Sequence, residues 1–179
     1  LRAMFFFNDA NMGSYKTAIT STGQPDIKVS RVFGRKKFGA GINYDQELND
    51  WLGLFGRAGW NDGKNETWAF TEIDRTVSAG LSLDGARWNR KEDVAAVALV
   101  VNGLSADHRN YLERGGSGFI IGDGRLNYSP EAIGEFYYRL KPPAIPLWFT
   151  LDYQFALHPG YNKDRGPVNI LSVRVHTEF

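Results

Sequence analysis

Cysteine is absent from the 179 residues. That excludes disulfides, thiolate metal sites and a thiol nucleophile, but says little about compartment, since many periplasm-exposed proteins also lack it. Long apolar runs are missing as well. None reaches the roughly 18 residues that a membrane-spanning helix requires, so a chain of this sequence that crosses a bilayer does so as strands. Charge of one sign is scarce: 21 basic against 20 acidic residues leave +1 at neutral pH, so no broad field draws the chain to nucleic acid or acidic lipid. Residues 1–4 hold no basic stretch, apolar segment and cleavage site, and read as a processed or internal start. His108, His158 and His176 are too scattered to gather on one metal, and no nucleophile elbow, phosphate loop or base-partnered serine stands out. No cofactor, metal site or catalytic residue is expected.

What the chain does have is 20 Gly with 5 Trp, 8 Tyr and 12 Phe. Small residues that permit bends, and aromatics that suit a membrane interface, are the materials of a transmembrane barrel, although a soluble β-sandwich could use both. Period-two alternation is plainest over residues 168–179. There Leu171, Val173, Val175 and Phe179 share one face, and Ser172, Arg174, His176 and Glu178 the other. Over 147–157, Leu147, Phe149, Leu151, Tyr153, Phe155 and Leu157 oppose Trp148, Thr150, Asp152, Gln154 and Ala156. Phe136, Tyr138 and Leu140 alternate with Glu135, Tyr137 and Arg139. Val77, Ala79, Leu81 and Leu83 alternate with Thr76, Ser78, Gly80 and Ser82. Leu52, Leu54, Ala58 and Trp60 oppose Phe55, Arg57 and Gly59, and Phe38, Ala40, Ile42 and Tyr44 oppose Lys37, Gly39, Gly41, Asn43 and Asp45. Residues 92–102 are apolar on both faces, and residues 1–8 complete a set of about eight strands.

The connections alternate in length. Short ones are expected at 49–50, 84–91 and 141–146, and long ones at 9–36, 61–73, 103–132 and 158–167. Short turns at one end and long loops at the other describe a barrel with periplasmic turns and extracellular loops. Within the long loops, residues 11–20 and 105–114 have helical composition.

Three separated stretches carry a resemblance. Pro159-Gly-Tyr-Asn-Lys-Asp-Arg-Gly-Pro167 with the terminal His176-Thr-Glu-Phe179, Gly118-Phe-Ile-Ile-Gly-Asp-Gly-Arg-Leu-Asn-Tyr128, and Glu135-Phe-Tyr-Tyr-Arg139 together resemble the C-terminal part of the carbohydrate-selective porins of the OprB family. The resemblance implies an all-β, antiparallel transmembrane barrel of the outer-membrane porin type, of which these residues form one C-terminal segment. It further implies passive diffusion of mono- and small oligosaccharides such as glucose across the outer membrane of a Gram-negative bacterium. The expected partners are those sugars, outer-membrane lipids and, through Phe179, the outer-membrane assembly machinery, with association into a homotrimer left open and no nucleic acid.

Sugar recognition in a pore needs planar hydrogen-bonding groups for hydroxyls and aromatic faces for C–H surfaces. Strand parity points Asn43, Arg57, Glu135, Tyr137, Arg139, Asp152, Gln154 and Arg174 inward, with Trp148 nearer one end. The plainer reading of each is wall stiffening, as in a neutralising pair of Asp152 with Arg174. Asp164 and Arg165 can reach the mouth or latch the last loop, where Pro159, Gly160, Gly166 and Pro167 suggest a fixed turn. Trp51, Trp60, Tyr44, Tyr128 and Tyr153 suit aromatic girdles. Two other functions fit the pattern less well. A small outer-membrane barrel enzyme needs a nucleophile beside a histidine. A soluble ligand-binding β-barrel needs the apolar face inward, around a dry interior.

Overall fold

The computed structural model describes residues 1–20, 23–67 and 71–178. Eight strands form one antiparallel sheet in sequence order: β1 (Arg2–Met12), β2 (Val32–Asn49), β3 (Leu52–Asn61), β4 (Arg75–Asp84), β5 (Val94–Gly103), β6 (Glu131–Leu140), β7 (Leu147–Leu157) and β8 (Val168–Thr177). Each strand pairs with its sequence neighbours, and among the described residues β8 does not return to β1, so the sheet is open.

Side chains alternate across a strand, and register partners share a face, so the pairings fix both faces at once. One face carries Phe38, Ile42, Val77, Leu81, Leu99, Phe136, Leu151 and Val173, all exposed. Val77 is 61%, Leu99 65% and Val173 68% accessible. Among the described residues no element packs over these side chains. Among the described residues, Met12 is the one strand apolar side chain that is buried, which removes the dry interior a soluble barrel would require. On β5, whose facing was open from the pattern, Val97, Leu99 and Val101 join the apolar face, while Ala96, Ala98 and Val100 point the other way.

The connections alternate as expected, most boundaries shifting by one or two residues and the first long connection by more. β1 runs on to Met12 and β2 begins at Val32, so the first long connection is residues 13–31 rather than 9–36. The ladder Asn8 with Lys37, Asp9 with Lys36 and Ala10 with Arg35 extends the pair by cross-strand partners that single-strand periodicity does not reveal.

At the loop end the long connections build a core of their own. Two helices, α1 (Tyr15–Ala18) and α2 (Ala106–Glu113), fall inside the segments of helical composition. Ser14 and Ser105 cap them by accepting the N–H groups of Thr17 and His108, at 3.3 and 3.1 Å. Tyr15, Ala18, Ile27, Leu104, Tyr111, Leu112, Leu126 and Tyr161 pack together there. Burial of Leu112 alone is worth about 1.5–3 kcal/mol.

At the turn end, buried Asp93 ties two turns together. Its carboxylate receives Arg90 Nε at 2.9 Å, the Tyr138 hydroxyl at 2.6 Å and the Lys141 N–H at 2.9 Å. Trp88 Nε1 donates to the same Tyr138 oxygen at 3.0 Å.

Candidate functional site: a polar wall beneath a loop assembly

All nine residues expected to face inward lie on the face opposite the exposed Val, Leu and Phe side chains. The structure gathers most of them into one patch. On β6 to β8, Glu135 pairs with Gln154, Tyr137 with Asp152, and Arg139 with Thr150. Asp152 in turn faces Ser172, Thr150 faces Arg174, and Trp148 faces His176. This is a ladder of two carboxylates, an amide and a phenol beside two guanidinium groups. Its turn-end border is aromatic: Lys141 Nζ sits 4.9 Å from the centre of the Trp148 ring, whose other neighbour is the His176 ring at 5.4 Å.

Asn43 and Arg57 form a second group, opposite each other on β2 and β3. Arg57 lies 5.1 Å from the Phe55 ring, and Arg2 pairs with Asp45 at 2.7 Å beside them. Between the two groups β4 and β5 present Ser78, Gly80, Ser82, Ala96 and Ala98. The polar wall therefore has two charged flanks and a low, small-residue centre.

The neutralising pair suggested for Asp152 and Arg174 does not form: Asp152 accepts the Ser172 hydroxyl at 3.2 Å, and Arg174 stands opposite Thr150 one step along. Asp164 and Arg165 latch the last loop to the neighbouring one. Asn127 Nδ2 donates to Asp164 at 2.9 Å, and Arg165 forms an ion pair with Asp123. Gly160 and Gly166 in that loop have φ of +67° and +84°, conformations that suit glycine. Tyr128 lies in the loop before β6, beside Trp60 and Arg75 at the loop end of the apolar face. Its ring packs on Tyr161, its hydroxyl accepts the Leu104 N–H at 3.3 Å, and Arg109 lies over it at 5.1 Å. Phe179 lies outside the described residues.

Sequence reading missed the buried polar centre of the loop assembly. Glu72 accepts the backbone N–H groups of Phe119, Ile120 and Ile121 at 3.0, 2.9 and 3.2 Å, so one carboxylate holds the whole 119–121 turn. Asp74 meets His108 Nδ1 at 2.9 Å and accepts the Ser105 N–H at 2.9 Å. Lys37 Nζ is 3.9 Å from the other Asp74 oxygen and donates to the Asn65 carbonyl at 2.9 Å. Tyr15 stacks on the His108 ring, centroids 4.1 Å apart. Tyr161 donates to the Glu72 carbonyl at 2.9 Å, so all the long connections meet here.

Burial pushes the Asp74 carboxyl up, but the His108 hydrogen bond and charge, the Ser105 N–H and Lys37 outweigh it and hold the group below the ordinary carboxylate value. Burial pushes the Tyr15 phenol well above its usual range. Although Ser105, His108 and Asp74 adjoin, they are not arranged as a nucleophile and base. The Ser105 hydroxyl donates to the Gly63 carbonyl at 2.6 Å, and the far nitrogen of His108 faces Glu72 at 4.0 Å.

Comparison with known proteins agrees with this architecture. The chain aligns over 99% of its length with a solved structure titled "High pH structure of Pseudomonas putida OprB", with a TM-score of 0.77 and 15% identity. It covers 44% of that chain, so the fold is shared and the present residues span less than half of the larger protein. No curated protein matches the sequence. The family profile described as "Carbohydrate-selective porin, OprB family" matches residues 1–179. An open sheet with a bare apolar face, a laddered polar face and loops collected at one end is thus a stretch of porin wall, and the chain belongs to the OprB family of carbohydrate-selective porins.

Proposed function

We propose that these residues form the C-terminal part of the wall of an outer-membrane channel that lets small sugars, glucose among them, diffuse passively into a Gram-negative cell. The observation that carries the reading is the division of faces: Glu135, Tyr137, Arg139, Asp152, Gln154 and Arg174 share one side of the sheet while Val77, Leu99, Leu151 and Val173 stand exposed on the other. In a bilayer the second side meets hydrocarbon, and the first meets water and solute.

The remainder of a full-length barrel closes the wall and pairs the β1 and β8 edges, which otherwise invite association. Arginine and carboxylate groups along the polar ladder exchange hydrogen bonds with sugar hydroxyls as water is shed, and the Trp148 face takes C–H surface. No bond is made or broken, so the protein acts as a channel and not as an enzyme. Outer-membrane lipids surround it, and Phe179 serves as the mark read by the assembly machinery.

The test is conductance of the full-length protein in a planar bilayer during titration with glucose. Sugar should reduce ion current in a saturable way, and Arg139→Ala with Arg174→Ala should weaken that reduction. Absence of channels, or a current indifferent to every sugar tried, would overturn the reading.

A further inference from the structure

A shallow recess lies in the apolar face. Its volume is about 670 Å³, and it lies on β2 to β5, away from both free edges, so closing a barrel does not cover it. Two neighbouring register rows line it. The row nearer the loops is Ala40, Trp60, Arg75 and Gly103, and the row beneath is Ile42, Ala58, Val77 and Val101. Tyr128 and Pro130 overhang the upper row.

The order of these groups is informative. Ala58 leaves a dip between Ile42 and Val77, large enough for a chain of methylenes. One step toward the loops the same face turns amphipathic: an indole, an exposed guanidinium and the phenol of Tyr128, with the Arg109 cation over that ring at 5.1 Å. Arg75 has no acidic partner within 4.0 Å among the described residues. Apolar below and cationic above, at the level of an interfacial tryptophan, is the order of an acyl chain joined to an anionic headgroup.

We propose that this recess binds one lipid of the outer leaflet carrying a phosphate, with an acyl chain against Ile42, Ala58, Val77 and Val101 and the phosphate on Arg75. The site rests on the membrane orientation proposed above. Its chemistry is separate from the sugar path, which runs on the opposite face.

The experiment uses full-length protein in phosphatidylcholine vesicles doped with phosphatidylglycerol whose chains are brominated. Quenching assigned to Trp60 is obtained by difference against Trp60→Phe. Strong quenching is expected from brominated phosphatidylglycerol, and less from brominated phosphatidylcholine at the same fraction. Arg75→Gln should lower the phosphatidylglycerol preference about fivefold, the equivalent of ~1 kcal/mol. Val101→Trp, which fills the floor, should reduce quenching by both lipids while the heat-dependent electrophoretic shift of the folded barrel stays unchanged. Equal quenching by the two lipids, or a preference untouched by Arg75→Gln, overturns the site. A Trp60 signal shielded from both lipids, in a protein that sediments as an oligomer, overturns it in favour of a second copy. If no tryptophan responds to any brominated chain, the membrane orientation itself fails, an outcome distinct from the others.

Discussion

His108 Nδ1 lies 2.9 Å from Asp74 Oδ2, and both side chains are shut off from solvent. The pair joins α2 to the connection before β4, and Glu72 beside it holds the 119–121 turn. The loop assembly is therefore organised by buried charge as much as by its tyrosines.

Removing one partner should loosen the loops without opening the sheet. His108→Ala leaves Asp74 buried with the Ser105 N–H and Lys37 as its remaining partners, a change that costs roughly 1–3 kcal/mol. Protease should then cut within residues 13–31 and 104–130 while the strands stay protected. The Asp74 carboxyl is depressed when folded, so its contribution is full above the unfolded value of about 3.9 and fades as pH falls toward and through the lower folded value. Protection should fall in acid for the native protein and change little with pH in Asp74→Asn.

A second acid-sensitive joint sits at the turn end. Burial pushes the Asp93 carboxyl up, but Arg90, the Tyr138 hydroxyl and the Lys141 N–H bring it down to about 2. Its contribution is present above the unfolded pKa of about 3.9 and is lost as pH falls through about 2. Asp93→Asn should lower the heat-unfolding midpoint at neutral pH and remove the part of the pH dependence between those limits.

Facing can be tested by adjacent substitutions on β8. Val173 pairs with Leu151 on the apolar face, and Ser172 with Asp152 on the polar one. Val173→Arg should cost about 2–4 kcal/mol of insertion in the full-length protein. Ser172→Arg should fold normally and alter conductance. Equal folding defects in the two variants would contradict the assignment of faces.

The low centre of the polar wall needs Gly80. A Cβ there would stand 2.4 Å from the Phe55 ring and 2.6 Å from the Val97 carbonyl, and the backbone contact cannot yield as a side chain could. Gly80→Val should cost roughly 1–3 kcal/mol by overpacking, read as a lower heat-unfolding midpoint, whereas Ser78→Ala should leave stability nearly unchanged.

Much of the strand layout was legible because each side chain's environment repeats every second residue. Leu147 to Leu157 announces its two faces from its own sequence, and the alternation of short and long connections sets which strand ends lie together. The extended pairing of β1 with β2 was not legible, since Asp9 and Lys36 look like loop residues until each is seen as the other's partner.

The sequence by itself determined that the chain is all-β, how its strands follow one another, and which side chains on them share a face. Those properties depend on local backbone geometry and on neighbours two residues apart. Only the tertiary structure decided that Glu72, Asp74 and His108 meet under Tyr15, and that Asp152 takes Ser172 rather than Arg174. Such contacts join residues far apart in the chain, and whether they form depends on where the sheet holds the ends of its loops and on the register across which strands face.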